Sequence, residues 1–246
     1  MKNKFLSALA LAAVLAFTGC SDDSDDSNNP VNNSDKKYIT HVTVISAEDD
    51  SDEAHLTVNY DGNGRVTSAS DGDDTSVFAY QDGDLANISG SSDVLTISEL
   101  FVDPYDGYEV GEVLDYDNDG NPVELRLFER DWDGMIIAEY TATITYDQKP
   151  NPFYATLEAA GIIEVLNGVQ LNFSATPQAE ELVRAKLLLP VNNPKKVVIK
   201  NQAGQVTKQV VADYVYNDNY PTTATFTETG EDGTYLYSAT FAYRPE

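Results

Sequence analysis

The chain has 246 residues, of which 41 are Asp or Glu and only 15 are Lys or Arg, so its formal net charge is −26. This balance disfavours nucleic acid as a partner, because binding to phosphates requires clustered Lys and Arg. The single cysteine, Cys20, excludes an intramolecular disulfide and a thiolate metal cluster.

Residues 1–19 are predicted to be a lipoprotein signal peptide. Lys2 and Lys4 precede an apolar run from Phe5 to Phe17, and small residues follow it. The run is shorter than the roughly 20 residues that a transmembrane helix requires. The segment therefore predicts export followed by cleavage.

The end of this segment, Phe17-Thr18-Gly19-Cys20, resembles the lipobox of bacterial lipoproteins. The resemblance implies cleavage before Cys20, a diacylglycerol thioether on its sulfur, and a fatty acyl chain such as palmitate on its amine. Cys20 is thus the predicted lipidation site, and the outer membrane is the predicted partner. The alternative is an unmodified thiol after an ordinary cleavage site.

Residues 20–36 are predicted to form an acidic, flexible tether, because Ser, Asp and Asn dominate and Val31 is the one apolar side chain besides proline up to residue 35. The acidic run beside Cys20 resembles the signal that takes Bacteroidetes lipoproteins to the cell exterior. It implies surface exposure. The alternative is a spacer whose charge only keeps it solvated.

Residues 37–246 are predicted to be one all-β hairpin domain, with a possible division near 149–195. Apolar or small residues alternate up to a tyrosine in six runs, which is typical of strands with one buried face. The runs are Leu56, Val58, Tyr60; Phe78, Tyr80; Leu114, Tyr116; Ala142, Ile144, Tyr146; Ala212, Tyr214, Tyr216; and Ala239, Phe241, Tyr243.

Turn-forming residues follow these runs or lie between them, at 61–64, 82–83, 117–120, 131–134, 217–219 and 231–233. Gly, Asn and Asp tolerate the positive φ of tight hairpins, so neighbouring runs are expected to pair. The predicted fold is an antiparallel meander of consecutive hairpins.

One or two short helices are predicted between residues 150 and 190. Thr176 and Pro177 supply a cap and a first-turn proline for a helix over 178–188. The stretch from Phe153 to Leu166 fits either a helix or a loop with a buried strand.

Tyr60-Asp61-Gly62-Asn63-Gly64-Arg65 resembles the tyrosine-aspartate (YD, RHS-like) repeat of bacterial surface proteins, and Tyr116-Asp117-Asn118-Asp119-Gly120-Asn121 is a second copy without the arginine. With Tyr146-Asp147, Asn192-Asn193-Pro194 and residues 216–221, the chain resembles Bacteroidetes surface lipoproteins of unknown function built from such hairpins. The resemblance implies a fold and a location, but no activity and no catalytic residue.

Asp115, Asp117 and Asp119 with Gly120 match the first half of a calcium-binding loop. The twelfth position, which would need a bidentate Glu, is Arg126. A hairpin turn explains the same residues, so we predict no metal site and no cofactor, and keep the three aspartates as candidate ligands.

Trp132, in the turn Asp131-Trp132-Asp133-Gly134, is the candidate ligand contact, unless it folds back onto the sheet. The tyrosines either pack structurally or expose rings that stack on sugars.

Without a nucleophile elbow, phosphate loop or paired metal-binding histidines, the predicted function is a non-catalytic binding or structural module for a glycan or protein. The alternatives are a carboxylate-dependent glycan hydrolase and a calcium-stabilised adhesin.

Overall fold

A computed structural model describes residues 36–48, 53–90, 109–168 and 188–245. Cys20, the predicted signal peptide, all but the last residue of the predicted tether, and residues 178–187 of the predicted helix lie outside these ranges.

Twelve strands account for most of the described chain and form a single antiparallel sheet. They are β1 (Ile39–Ser46), β2 (Glu53–Tyr60), β3 (Val66–Ser70), β4 (Thr75–Gln81), β5 (Asp84–Gly90), β6 (Glu109–Tyr116), β7 (Pro122–Arg130), β8 (Ile136–Pro150), β9 (Asn192–Asn201), β10 (Val206–Asn217), β11 (Tyr220–Gly230) and β12 (Gly233–Tyr243). The order is β5-β4-β3-β2-β1-β12-β11-β10-β9-β8-β7-β6. This order confirms the predicted meander. In addition, the first strand, β1, pairs with the last strand, β12.

One face of the sheet is buried, as the alternation predicts. In β12, Tyr237, Ala239 and Phe241 are buried, and the residues between them are exposed. Small and large side chains pair across strands on this face, for example Ala212 opposite Phe226. This mixture of sizes lets the inner face pack closely.

Two short helices lie in the described part of the connection between β8 and β9: α1 (Pro152–Ala159) and α2 (Ile162–Gly168). The Asn151 side chain caps α1 by accepting the Phe153 N–H at 3.0 Å, and proline occupies the first turn. The stretch from Phe153 to Leu166, which the sequence left open, is therefore mainly helical.

The helices lie against the buried face, and their contacts show that the sheet curls around them. The Ile39 N–H in β1 donates to Thr156 Oγ1 at 3.0 Å, and the Tyr80 hydroxyl in β4 donates to the Ala160 carbonyl at 3.2 Å. In a flat sheet, β4 and β8 would lie about 38 Å apart, whereas the eight residues of α1 span about 12 Å. Only a curled sheet brings β4 to a helix that follows β8.

Because all neighbours are antiparallel, odd-numbered strands begin and even-numbered strands end at the same end of the sheet. We call this end the near end, because residues 36–38 lead into β1 there. The opposite end of the sheet is the far end. The helices and the turns at 61–65, 82–83, 117–121 and 218–219 lie at the near end; the turns at 71–74, 131–135, 202–204 and 231–232 lie at the far end. In the described ranges, no helix has the length and hydropathy needed to cross a bilayer.

Candidate functional sites at the two ends of the sheet

Among the described residues, one turn occurs four times, beginning at Asp61, Asp117, Asp131 and Asn201. In each copy, the side-chain Oδ1 of the first residue accepts the N–H groups of the third and fifth residues, at 2.9 to 3.0 Å. The fourth residue is glycine with φ between 78° and 85°, a conformation that side chains with a Cβ rarely adopt. The tyrosine-aspartate motif is therefore a local turn, and the Asn201 copy shows that Asn can replace Asp.

The candidate calcium ligands take part in this turn. Asp117 Oδ1 accepts the N–H groups of Asp119 and Asn121, and its Oδ2 accepts Asn121 Nδ2 at 2.9 Å. Asp115 Oδ1 accepts the N–H of Tyr116 at 3.0 Å. Within the described ranges, no three His, Cys, Asp or Glu side chains come together as a metal site. The carboxylates of Asp115 and Asp117 thus hold the turn, and Asp119 contributes its backbone N–H.

The tyrosine rows are structural as well. At the near end, tyrosine hydroxyls donate to a carbonyl near the start of the preceding strand. The pairs are Tyr60 with Ile39, Tyr80 with Val66 (2.7 Å), Tyr146 with Pro122 (2.7 Å), Tyr214 with Pro194 (3.0 Å) and Tyr243 with Pro221 (2.6 Å). Burial raises the pKa of Tyr60, Tyr214 and Tyr243, and raises that of Tyr116 to about 12. The hydroxyls of these tyrosines fasten each hairpin to its preceding strand.

Trp132 stands out from the far end, at the tip of the β7–β8 hairpin. Its side chain is 92% exposed, so it does not fold back onto the sheet. Met135 and Ile137, which follow it, are 66% and 58% exposed, and Ile136 is exposed as well. The Asp131 carboxylate holds the turn beneath them. The hairpin therefore presents a small apolar surface to solvent, which we call the Trp132 tip: Trp132, Met135, Ile136 and Ile137.

At the near end, the structure forms a pocket of about 360 Å³ that sequence reasoning missed. Its walls include Lys36, Tyr38, Arg65, Tyr80, Glu158 and Glu164, from the segment that leads into β1, the turn after β2, β4 and both helices. These residues are far apart in the chain, and only the fold brings them together. One signal was visible in the sequence: Arg65 distinguishes the first copy of the motif from the second.

Arg65 is held rigidly at this pocket. Its Nε and Nη2 donate to Asp61 Oδ2 at 2.9 and 2.7 Å, and its guanidinium lies 4.6 Å from the centre of the Tyr80 ring. Hydrogen bonds from the backbone and side chain of Arg65 lower the pKa of Asp61. Since both contacts fix the planar guanidinium, its orientation is set before any ligand arrives.

Carboxylates lie on the helical side of the same pocket. Glu158 Oε2 accepts Lys36 Nζ at 2.6 Å. Burial raises the pKa of Tyr80, the charge of Arg65 opposes this shift, and the charges of Asp61 and Glu164 add to it. Tyr80 is thus within electrostatic reach of Arg65 on one side and Glu164 on the other.

No protein-family model matches the chain, and no curated protein matches its sequence. Among solved structures, it is similar to a porin-like protein from Bacteroides vulgatus, with 12% identity and a TM-score of 0.39 over 86% of this chain and 100% of that one. A porin-like protein from Bacteroides uniformis gives 12% identity and a TM-score of 0.38, over 84% and 98% of the two chains. A LolA superfamily protein from Nitrosomonas europaea gives 12% identity and 0.26, over 96% and 91%. Because these TM-scores lie below 0.5, we base no functional argument on them.

Proposed function

We propose that the chain is a lipid-anchored, non-catalytic binding module of the outer cell surface, which presents the Trp132 tip to a protein partner. In this proposal, residues 1–19 are removed, Cys20 carries the lipid and residues 20–36 form the tether. The observation that carries it is the 92% exposure of Trp132 at the end of the sheet opposite to the tether.

The geometry of the tether junction supports this orientation. Lys36 pairs with Glu158 at 2.6 Å, Lys37 pairs with Asp218 at 3.3 Å, and the Arg244 N–H donates to the Tyr38 carbonyl at 2.8 Å. These contacts fasten the chain just before β1. A random coil of some sixteen residues spans on the order of 20 Å, so the near end stays close to the lipid, and the far end is the end that can extend away from it.

The composition of the Trp132 tip favours a protein over a glycan. Trp and Met are enriched in the cores of protein interfaces, whereas the side chains of Met135 and Ile137 offer a sugar no strong hydrogen bond. Asp133 in the same turn and the net charge of −26 favour a basic rim. The partner is therefore a protein with an apolar cleft bordered by Lys or Arg.

Site-specific photo-crosslinking on intact cells tests the tip. A benzoylphenylalanine at position 132 of the full chain is expected to give a discrete protein adduct. The same group at Val215, which is 61% exposed on β10, is the matched control and should not give that adduct. Adducts shared by both positions, or none at either, would contradict the proposal.

Direct binding is then measured with the purified adduct protein. Trp132 is the only tryptophan, so its emission reports on the contact without a label. Trp132→Ala should weaken the dissociation constant, measured by calorimetry, at least tenfold, and Val215→Ala should leave it unchanged. If neutral oligosaccharides shift the Trp132 emission and the protein does not, the partner is a glycan instead.

The anchor is tested separately. Mass spectrometry of the full chain from its native membrane should find residues 1–19 absent and Cys20 carrying diacylglycerol. Protease added to intact cells should remove the domain, since the proposal places it outside. An unmodified Cys20 thiol would refute the lipid anchor. Protection of the domain from protease until the cells are opened would refute its exposure at the cell surface.

The near-end pocket favours one enzymatic alternative, a carboxylate-dependent glycan hydrolase, because Glu158 and Glu164 both line it. Glu158 is ion-paired with Lys36 at 2.6 Å, whereas Glu164 is exposed. If the chain releases new reducing ends from cellobiose or maltose, and Glu164→Gln abolishes this release, the hydrolase replaces the non-catalytic proposal.

A further inference from the structure

We propose that the near-end pocket binds a neutral, polyhydroxylated ligand of one or two sugar rings, between Arg65 and the glutamates Glu158 and Glu164. This site is separate from the Trp132 tip and does not depend on the lipid anchor. Its volume of about 360 Å³ lies at the small end of the range of roughly 300–1,000 Å³ that small-molecule sites occupy.

The charges around the pocket argue against an anion. Two of its cations are each paired with a carboxylate, Lys36 with Glu158 and Arg65 with Asp61. Glu164 adds a further negative charge at the wall. A third cation, Arg244, lies close to Gly64 at the wall, so three carboxylates are balanced by three cations, which favours a neutral ligand.

The same walls offer both hydrogen-bond donors and acceptors, which is what hydroxyl groups require. Asp61 uses Nε and Nη2 of Arg65, so Nη1 can donate to a ligand from a fixed position. Glu158 binds Lys36 through Oε2, which leaves Oε1 as an acceptor, and Glu164 supplies two more acceptor oxygens. A hydroxyl group both donates and accepts, and a sugar ring can present several to opposite walls at once.

Aromatic surface completes the pocket. Tyr38 and Tyr80 contribute to its walls, and the Tyr80 ring is held by its hydroxyl, whose single proton is shared between the carbonyls of Val66 at 2.7 Å and Ala160 at 3.2 Å. Such rings provide apolar surface for the C–H faces of a sugar at little cost in conformational entropy. Preorganisation of both Arg65 and Tyr80 favours binding by a rigid site.

The test uses the full chain in a detergent without a sugar headgroup. Glucose, N-acetylglucosamine, maltose and cellobiose are titrated by calorimetry and followed by saturation-transfer NMR, with inorganic phosphate as the anionic comparison. At least one sugar should bind saturably, and phosphate should not. Glu164→Gln should weaken that binding at least fivefold, because an exposed acceptor pair is replaced by an amide.

Glu139→Gln is the matched control, since Glu139 is an exposed glutamate on the outer face of β8. It should leave sugar binding unchanged, as should Trp132→Ala. The proposal is overturned if no sugar binds, if phosphate binds more tightly than every sugar, or if Glu139→Gln is as damaging as Glu164→Gln. Loss of sugar binding in Trp132→Ala would also overturn it, since the sugar would then bind at the tip. If Cys20 proved to carry no lipid, or if no protein bound the Trp132 tip, the sugar-binding result would still stand.

Discussion

The near and far ends of the sheet use the same turn but differ in what the turn does. At both ends, the first residue and the glycine set its backbone geometry. The fifth residue differs: Arg65 lines a pocket and Asn121 is completely buried, whereas Met135 and Gln205 are exposed. A turn motif therefore fixes local conformation, and the residue after its glycine determines whether the turn packs or faces solvent.

Asn121 shows how firmly a near-end turn is attached. Its Oδ1 accepts the N–H groups of Val191 and Asn192 at 2.8 and 3.2 Å, and its Nδ2 donates to Asp117 and to Asn192 Oδ1. The side chain thus ties the β6–β7 turn to the chain that enters β9. With stability concentrated at this end, the far end can carry exposed apolar residues without threatening the fold.

The largest expected effect is cooperative unfolding of the near end at alkaline pH. In the part of the chain that the structure describes, burial raises the pKa of seven tyrosines, and all seven lie at this end: Tyr60, Tyr80, Tyr116, Tyr214, Tyr216, Tyr220 and Tyr243. A pKa that is higher in the folded state contributes stability below the unfolded value of about 10, and this is lost as pH rises through the folded value.

Absorbance at 295 nm and circular dichroism, followed together above pH 10, measure this effect. Tyrosinate formation and loss of β signal should coincide, because most of these hydroxyls ionise only when the hairpins open. Ionisation of all tyrosines near pH 10 with the sheet intact would contradict the structural role of the rows.

Asn121→Ala should destabilise the chain by about 3 kcal/mol, since it removes a fully buried side chain and leaves two partly buried backbone N–H groups without their acceptor. Gln205→Ala, at the corresponding far-end position, should cost less than about 0.5 kcal/mol because that side chain is exposed. Urea unfolding of both variants measures the difference. Equal losses would mean that the two ends contribute alike.

Removing one near-end tyrosine hydroxyl should cost about 1 kcal/mol, the usual net value of one hydrogen bond. Tyr146→Phe and Tyr243→Phe each leave a proline carbonyl without its donor. The far-end control is Tyr235→Phe, because the Tyr235 hydroxyl bond to Asp232 is exposed and long, at 3.4 Å. Thermal unfolding measures these losses. If Tyr235→Phe loses as much stability as the other two variants, the contrast in stability between the two ends is wrong.

The sequence predicted the local parts of this fold well. Alternation up to Tyr60, Tyr146 or Tyr243 located strands, and Gly and Asp located turns, because both signals depend on neighbouring residues. The turn beginning at Asn201 was missed, since Asn replaces Asp and no tyrosine precedes it. The pairing of β1 with β12, the curl around α1 and the pocket were not predictable, because they depend on contacts between residues far apart in the chain.

Trp132 was recognisable as a candidate because a tryptophan in a four-residue turn has little sheet to cover it. The pocket gave no such signal beyond Arg65, since Glu158 and Glu164 are two of 41 acidic residues and nothing local distinguishes them. Sequence reasoning thus named the candidate that one hairpin builds and missed the candidate pocket that several elements build together.

The smallest expected effect is the contribution of the Asp61 charge to stability, beyond the turn that its side chain forms. The lowered pKa of Asp61 means that its contribution is present above the ordinary value of about 3.8 and is lost as pH falls through the lower folded value. Asp61→Asn keeps Oδ1 for the turn but replaces Oδ2, the acceptor of Arg65, by an amide donor. The stability difference from the unmodified chain, measured by urea unfolding, should be constant above about pH 5 and shrink toward pH 3. Asp131→Asn should change stability less at every pH, because the Asn201 copy shows that an amide supports the turn where no arginine is bound. If the two variants behave alike, Arg65 adds nothing to its turn, and its rigid placement in the pocket must come from Tyr80 alone.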